Sequence, residues 1–376
     1  MTQPAQKSHI VIDARIRRAS TGRYIDRLLE HLQAVDHTHR YTILLQPDDP
    51  WTPRSSNFHA LPCPFPQFSF NPLHEIHFAW MLYRLRPSLV HFGMTQQPLL
   101  YFGRIVTTTH DLTMFTFVRR GDTPLVAYKL KMWLYRFLFW WSHRKSDRII
   151  VPTQFVADDL AQHQPFTRKK TVVTYEASEP PLKADAVRPK DIGPHDKFIM
   201  YLGTAFPHKN VWNLMQAFDI LHQTHPKLTL VLVGKKEKHY EELQERAKTL
   251  AAADSIRFTG FLPDEETKWL YKHCQAYVYP SLSDGWGLTP LEAMAHGAPV
   301  VASNTSCIPE VLGDAAYYFD ARKAQDIAQK VGQVLDSPAL RSQLQAKDAQ
   351  QVKKYSWRTM AEQTLIVYKE TLDEVV

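Results

Sequence analysis

Short apolar runs alternate along this chain with longer segments whose apolar residues recur every three or four positions. Ile10 to Ala14, Tyr41-Thr42-Ile43-Leu44-Leu45, Leu89-Val90-His91-Phe92, Ile105 to Thr109, Arg148 to Thr153 and Val172 to Glu176 predict buried strands in the first half. A helix with Leu28, Leu29 and Leu32 on one face follows the first strand, and Thr153-Gln154 opens another. The proline-rich stretch 47–72 predicts mostly loop. In the second half, strands are expected at Phe198 to Gly203, Leu228 to Lys235, Ile256 to Pro263, Ala276 to Tyr279, Val300 to Ala302 and Tyr317 to Phe319. One expected helix runs through Leu214, Ala217, Phe218 and Leu221, and the chain beyond Phe319 is rich in helical pattern. Strand and helix at this spacing predict an α/β class with parallel, doubly wound sheets.

A chain of 376 residues exceeds one average core, so two domains are expected. We place the first at 1–178, with 358–376 packing back on it, a proline-rich linker at 179–196, and the second domain at 197–357. Cys63, Cys274 and Cys307 lie far apart without metal-ligand spacing, which excludes a disulfide scaffold and suits a reducing compartment. The N-terminus has no apolar signal region, and no run of eighteen apolar residues occurs. The net charge of +7 suits an anionic substrate or surface. Nucleic acid is not expected, because no basic run or recognition motif accompanies that charge.

Between Tyr279 and Glu310 the pattern carries candidate chemistry. A strand ends at Pro280, a polar loop with Gly285 and Gly287 follows, and Thr289, Pro290 and Glu292 read as N-cap, first helical residue and capping-box acid. Backbone N–H groups from Gly285 to Leu288 would then face an anion at the positive end of a helix. Asp284 and Glu292 have seven residues between them, and either reading, turn-and-cap or paired functional carboxylates, fits the local pattern. His110 follows a strand's C-terminal end, where open α/β sheets place chemistry. No G-x-G-x-x-G follows the first strand, which argues against a nicotinamide site.

The stretch D-G-W-G-L-T-P-L-E-A-M-A-H-G-A-P-V-V resembles the signature of the retaining glycosyltransferases of family 4, which have the GT-B fold. There the usual form is glutamate, seven residues, glutamate. Here the first acid is Asp284, and the proline has moved one place on. S-T-G-R-Y-I-D-R-L-L around Gly22, T-T-H-D-L around His110, Y-L-G-T-A-F-P-H-K-N from Tyr201 to Asn210, L-V-G-K ending at Lys235, and F-T-G-F-L at Gly260, Phe261 and Leu262 are similar to further family elements, as is Y-S-W near the end. The resemblance implies two Rossmann-like domains facing across a cleft, with the last helix crossing back to the first domain.

It also implies roles. Glu292 would accept hydrogen bonds from the donor ribose, while Asp284 and His110 would lie at the transferred sugar. Trp286 and the backbone of Gly285, Gly287 and Leu288 would meet sugar and diphosphate oxygens. Lys209 would stabilise the leaving diphosphate, with Gly203 and Asn210 in the same loop. In that loop His208 stands where the family has arginine. Gly260 to Leu262 would hold the base, and Lys235 would add charge nearby. Gly22 is either close to the diphosphate or acceptor, or a plain loop glycine.

No metal and no cofactor are expected beyond the co-substrate, GDP-mannose or a UDP-sugar. The partner would be a glycan or lipid-linked acceptor, and the setting cytoplasmic. A non-catalytic nucleotide-sugar or glycan-binding protein of the same fold is the alternative. A separate expectation concerns residues 124–148, where lysine and arginine alternate with tryptophan, phenylalanine and leucine. That helix either packs on the sheet with its cations reaching outward, or rests on an anionic membrane at the inner face of the plasma membrane.

Overall fold

In the computed structural model, residues 7–18, 21–67, 71–117, 124–179 and 185–373 are described. Ser20 of the motif at Gly22 and residues 180–184 of the expected linker lie outside them. The chain divides into two compact units, unit 1 comprising Met1–Leu112, Arg120–Glu176 and Ser356–Val376, and unit 2 comprising Thr113–Arg119 and Ala177–Tyr355.

In chain order, unit 1 contains β1 (His9–Asp13), α1 (Gly22–Val35), β2 (Arg40–Leu45), β3 (Phe58–Pro62), α2 (Pro72–Leu85), β4 (Leu89–Phe92) and β5 (Ile105–Thr108). The short α3 (Thr113–Thr116) groups with unit 2. Unit 1 resumes with α4 (Leu125–Lys145), β6 (Arg148–Val151), α5 (Gln154–His163) and β7 (Thr171–Val173). Its seven strands pair in parallel in the order β3-β2-β1-β4-β5-β6-β7. The central strands β4 and β5 are buried at every position, as a sheet covered on both faces requires, with His91, Thr107 and Thr108 among the buried residues. The α5 N-cap is Thr153, whose hydroxyl accepts from the Val156 N–H.

Unit 2 continues with β8 (Lys197–Leu202), α6 (Val211–His222), β9 (Leu228–Val233), α7 (Lys238–Ala247), β10 (Ile256–Gly260), α8 (Asp264–His273), β11 (Ala276–Tyr279), α9 (Leu288–Ala295), β12 (Val300–Ser303), α10 (Ile308–Leu312), β13 (Ala316–Phe319), α11 (Ala324–Asp336) and α12 (Pro338–Val352). Its six strands are again all parallel, in the order β10-β9-β8-β11-β12-β13. One apolar core spans the unit, from Phe198 and Met200 to Val331 and Leu344.

The last helix, α13 (Trp357–Asp373), returns to unit 1. Its buried residues Trp357, Met360, Ala361, Thr364, Tyr368 and Thr371 recur at helical spacing, and it packs on α1. The Tyr368 hydroxyl meets His91 Nδ1 of β4 at 2.6 Å, while His91 Nε2 meets Thr108 Oγ1 at 2.8 Å. Burial pushes the His91 pKa down to about 3, so a neutral imidazole joins helix to sheet.

Two sequence expectations are corrected here. The 47–72 stretch contains the strand β3, which sits at the sheet edge with only Phe58 buried, so it shows no alternation of apolar and polar residues. The helix after the loop at 280–287 begins at Leu288 rather than at Pro290. Its N-cap is Gly287, at φ 83°, and Thr289 lies inside the first turn, accepting from the Tyr277 hydroxyl at 2.9 Å instead of capping.

Candidate active site

In unit 2, β8 has β9 on one side and β11 on the other, so successive connections depart in opposite directions at the β8–β11 boundary. The crevice outside the carboxyl ends of two such strands is where open α/β sheets bind ligands. The loop after β8 carries Gly203, Lys209 and Asn210, and the loop after β11 carries Asp284 to Gly287. Topology therefore joins two motifs that lie 75 residues apart in sequence.

Lys209 Nζ lies 2.6 Å from Asp284 Oδ2 and donates to the Tyr279 hydroxyl at 3.0 Å. The Tyr279 hydroxyl in turn donates to Asp284 Oδ2 in a short hydrogen bond. Asp284 Oδ1 accepts the Gly285 N–H at 2.9 Å. Ser306, at φ 60°, clamps the Asp284 backbone from both sides. Its hydroxyl accepts from the Asp284 N–H at 2.9 Å and donates to the Asp284 carbonyl at 2.7 Å. Burial alone would raise the Asp284 pKa, but the Lys209 charge and hydrogen bond, then Tyr279, outweigh it and hold the carboxyl below its ordinary range. Burial and the adjacent Asp284 push the Tyr279 phenol well up. The result is an ionised carboxylate, a cation and a phenol fixed at the carboxyl ends of two central strands.

The other residues of these loops divide between framework and exposed positions. Asn210, in the left-handed conformation at φ 58°, donates its amide to the Pro280 carbonyl at 3.2 Å and the Ala321 carbonyl at 2.7 Å, tying the two loops together. His208 is buried, with its ring beside Phe206 and Phe117 and its carbonyl accepting the Leu282 N–H at 2.8 Å. Trp286 is buried edge-on against Tyr355, at 4.8 Å between centroids. Gly285 and Gly287 are buried, and Leu288 and Glu292 are half-buried at the start of α9. Gly203 follows β8 directly and donates its N–H to the Val233 carbonyl. Gly260 closes β10 and accepts the Gly234 N–H at 3.1 Å, Phe261 stands exposed beside it, and Leu262 packs partly on the core. Lys235 is exposed after β9.

Unit 1 has its own reversal, between β1 and β4. Gly22 opens α1 after β1. A Cβ there would lie 2.7 Å from the Ile16 carbonyl oxygen and 2.8 Å from Arg17 Cα, so close backbone approach requires the glycine. His110, two residues past β5, donates from Nε2 to the Gly93 carbonyl at 3.0 Å and faces Glu176 with Nδ1 at 3.4 Å. The Tyr24 ring meets it edge-on at 5.0 Å. Burial opposes a charge on His110, but Glu176 and the Gly93 carbonyl together outweigh it, so its pKa lies above the ordinary histidine value.

Within unit 2, therefore, Lys209 and Asp284 come together, while Lys235, Gly260 and Phe261 belong to the neighbouring β9 and β10 ends. Tyr279, Ser306 and Glu176 were not singled out from sequence. Tyr279 closes β11 at the unit 2 crevice and Glu176 lies just past the edge strand β7, and a place at a strand's carboxyl end is their only sequence signal. Among the described residues, no group of three or more His, Cys, Asp or Glu side chains converges as a metal site.

Two all-parallel α/β units, each with a reversal of strand order, define the doubly wound α/β class. Two family models match the chain in succession, Glycosyltransferase Family 4 over residues 21–177 and Glycosyl transferases group 1 over residues 184–351. The chain belongs to this glycosyltransferase family and has its GT-B fold. It is similar to O-antigen chain mannosyltransferase B of Escherichia coli, 28% identical over 311 residues that make up 80% of this chain and 79% of that protein. It is 31% identical over 219 residues, 57% of this chain, to the serotype-specific mannosyltransferase WbdA of Escherichia coli, of which it spans 25%. Among solved structures, sucrose-phosphate synthase from Thermosynechococcus elongatus superimposes with a TM-score of 0.74 at 16% identity, covering 97% of this chain and 99% of that one. Anabaena Alr3699/HepE in complex with UDP-glucose gives 0.71 at 15% identity, covering 96% and 100%.

Proposed function

We propose that this glycosyltransferase moves a hexose, with mannose favoured, from a nucleotide-diphosphate sugar to a glycan or lipid-linked acceptor in bacterial polysaccharide assembly. It keeps the anomeric configuration, needs no metal, and works in the cytoplasm. The observation that carries this reading is the Lys209–Asp284–Tyr279 cluster at the β8–β11 crevice. The likeness to O-antigen mannosyltransferases favours mannose and hence GDP-mannose. The UDP-glucose complex of a protein with the same fold keeps a UDP-sugar as the second candidate.

In the reaction, the bond from the anomeric carbon to the diphosphate oxygen breaks, and a bond to the acceptor hydroxyl oxygen forms on the same face. The acceptor proton passes to the departing phosphate. Negative charge grows on the diphosphate, where the Lys209 ammonium and the positive end of α9 stabilise it in place. Asp284, already ionised, accepts a hydrogen bond from a sugar hydroxyl. Glu292 takes the ribose hydroxyls. The base rests on the Gly260–Leu262 backbone, with Lys235 adding charge. His110, by the family resemblance, faces the transferred sugar.

The test is transfer of radiolabelled hexose from GDP-mannose, UDP-glucose and UDP-galactose to a bacterial lipid-linked glycan extract, with and without EDTA. Product from one donor, cleaved by an α-glycosidase and formed equally in EDTA, is expected. A β-linked product, or dependence on added divalent metal, refutes the retaining or the metal-free part respectively. Nucleotide binding with no transfer to any acceptor fraction leaves a binding protein of this fold.

A further inference from the structure

Helix α4 has a short buried face and a long exposed apolar stripe. Phe139, Ser142 and His143 are buried, and the last turns are anchored by His143 Nε2 to Thr109 Oγ1 at 2.7 Å and Nδ1 to Gln164 Oε1 at 3.1 Å. On another face, Val126, Leu130, Trp133, Phe137 and Trp140 recur at i, i+4, i+7, i+11 and i+14 and point to solvent. Val126 is 80% exposed, and Leu130 and Trp133 are each 65% exposed. Nothing between Leu125 and Leu138 is buried. An apolar stripe of this length belongs against an apolar medium, and among the described residues nothing buries this one.

Helix α2 repeats the arrangement. Phe78, Ala79 and Leu82 face the core of unit 1, while Leu73, Ile76, Trp80 and Tyr83 form an exposed stripe at helical spacing. The turn at 99–102 joins the two stripes. The Tyr83 hydroxyl donates to the Leu100 carbonyl at 3.1 Å and accepts the Phe102 N–H at 3.0 Å. From the other side, the Trp141 indole N–H donates to the Leu99 carbonyl at 3.1 Å, and Phe102, 62% exposed, meets Trp141 edge-on. The three segments thus form one apolar, aromatic surface on unit 1.

Its exposed charges are basic, and the one acid of its two helices, Glu75 of α2, is half-buried and accepts the Leu99 N–H at 3.4 Å. The 21 residues of α4 include no acid, and Lys129, Lys131, Arg136 and Arg144 are exposed along it. Arg84 lies over the Trp80 ring at 4.7 Å, and Lys145 lies 5.8 Å from the centre of Phe102. Among the described residues, no helix is long and apolar enough to cross a membrane.

We infer that α2, the 99–102 turn and α4 together form a docking surface for an anionic lipid bilayer. The exposed tryptophans and tyrosine would sit at headgroup depth, and the lysines and arginines would pair with lipid phosphates. A second copy of this chain fits less well. A two-fold contact would place the same basic patch against itself, with like charges opposed. The inference enlarges the expectation at 124–148 by adding α2 and the turn. It stands independently of the donor-site reading, because no proposed donor-binding residue lies in it.

The experiment is flotation of the full chain with phosphatidylcholine vesicles and with vesicles containing about one-third phosphatidylglycerol, at low and high salt. Binding to the anionic vesicles, weaker on neutral ones and weakened by salt, is expected. The double substitution W133S/F137S should reduce partitioning by about tenfold or more, and so should W80S/F102S, since each removes two large apolar groups. K129Q/R136Q should remove the preference for anionic lipid. Near-native circular dichroism and melting of each variant confirm folding. Failure of folded wild-type protein to float with anionic vesicles overturns the inference. Binding that ignores all three variants overturns it as well. Self-association in sedimentation velocity that W133S/F137S abolishes, without lipid binding, assigns the surface to a second copy.

Discussion

At the scale of single residues, the Lys209–Asp284 pair is the most consequential contact of unit 2. Both side chains are largely buried, so removing one partner strands the other. Lys209→Ala is expected to cost about 1–3 kcal/mol in the unfolding of unit 2, read by chemical denaturation. The double variant Lys209→Met with Asp284→Asn should recover much of that loss but none of the transfer activity. The non-additivity separates the structural pairing from the chemistry. Recovery of activity in the double variant would remove both residues from the mechanism.

His110 offers a second residue-scale test. Its folded pKa is raised, so its contribution to stability is full below the unfolded histidine value and is lost as pH rises through the folded one. Glu176→Gln removes the partner charge, and the His110 midpoint, followed by NMR of its ring protons, should move down. An unmoved midpoint would mean that Glu176 does not hold the proton there.

At the scale of elements, α12 contains the opposite situation. Asp348 is buried, and neither carboxyl oxygen has a hydrogen-bond partner among the described residues. Burial pushes its pKa up to about 8. The folded state therefore holds a proton that the unfolded state releases near pH 4. Stability falls as pH rises from the ordinary carboxylate range towards about 8. Asp348→Asn should raise the melting midpoint of unit 2 by several degrees at pH 8 and hardly at all at pH 5. Equal effects at both values would contradict the buried-acid account.

How far sequence reached also differs by element. Strands buried on both faces, such as β2, β8 and β11, announce themselves as largely apolar runs, and both units are legible from them. The edge strand β3 was not, because its residues face solvent and carry no period. The start of α9 was misplaced because Thr289-Pro290 has the composition of a cap, whereas the left-handed Gly287 sets the actual boundary. Local pattern named Lys209 and Asp284 as candidates through family likeness. It could not show that they touch, since that contact depends on strand order. Glu176 remained unnoticed for the same reason.

At the scale of the whole molecule, the central claim is that unit 2 takes a nucleoside diphosphate at the β8–β11 crevice, between Lys209 and the start of α9. Isothermal titration of the full chain with GDP, UDP and ADP, each in EDTA, tests this most directly. One nucleotide should bind with one-to-one stoichiometry. Lys209→Ala and Glu292→Ala should each weaken it by about tenfold or more, through loss of a charge-assisted contact. Binding of none of the three by folded protein, or binding that both variants leave unchanged, would contradict the account.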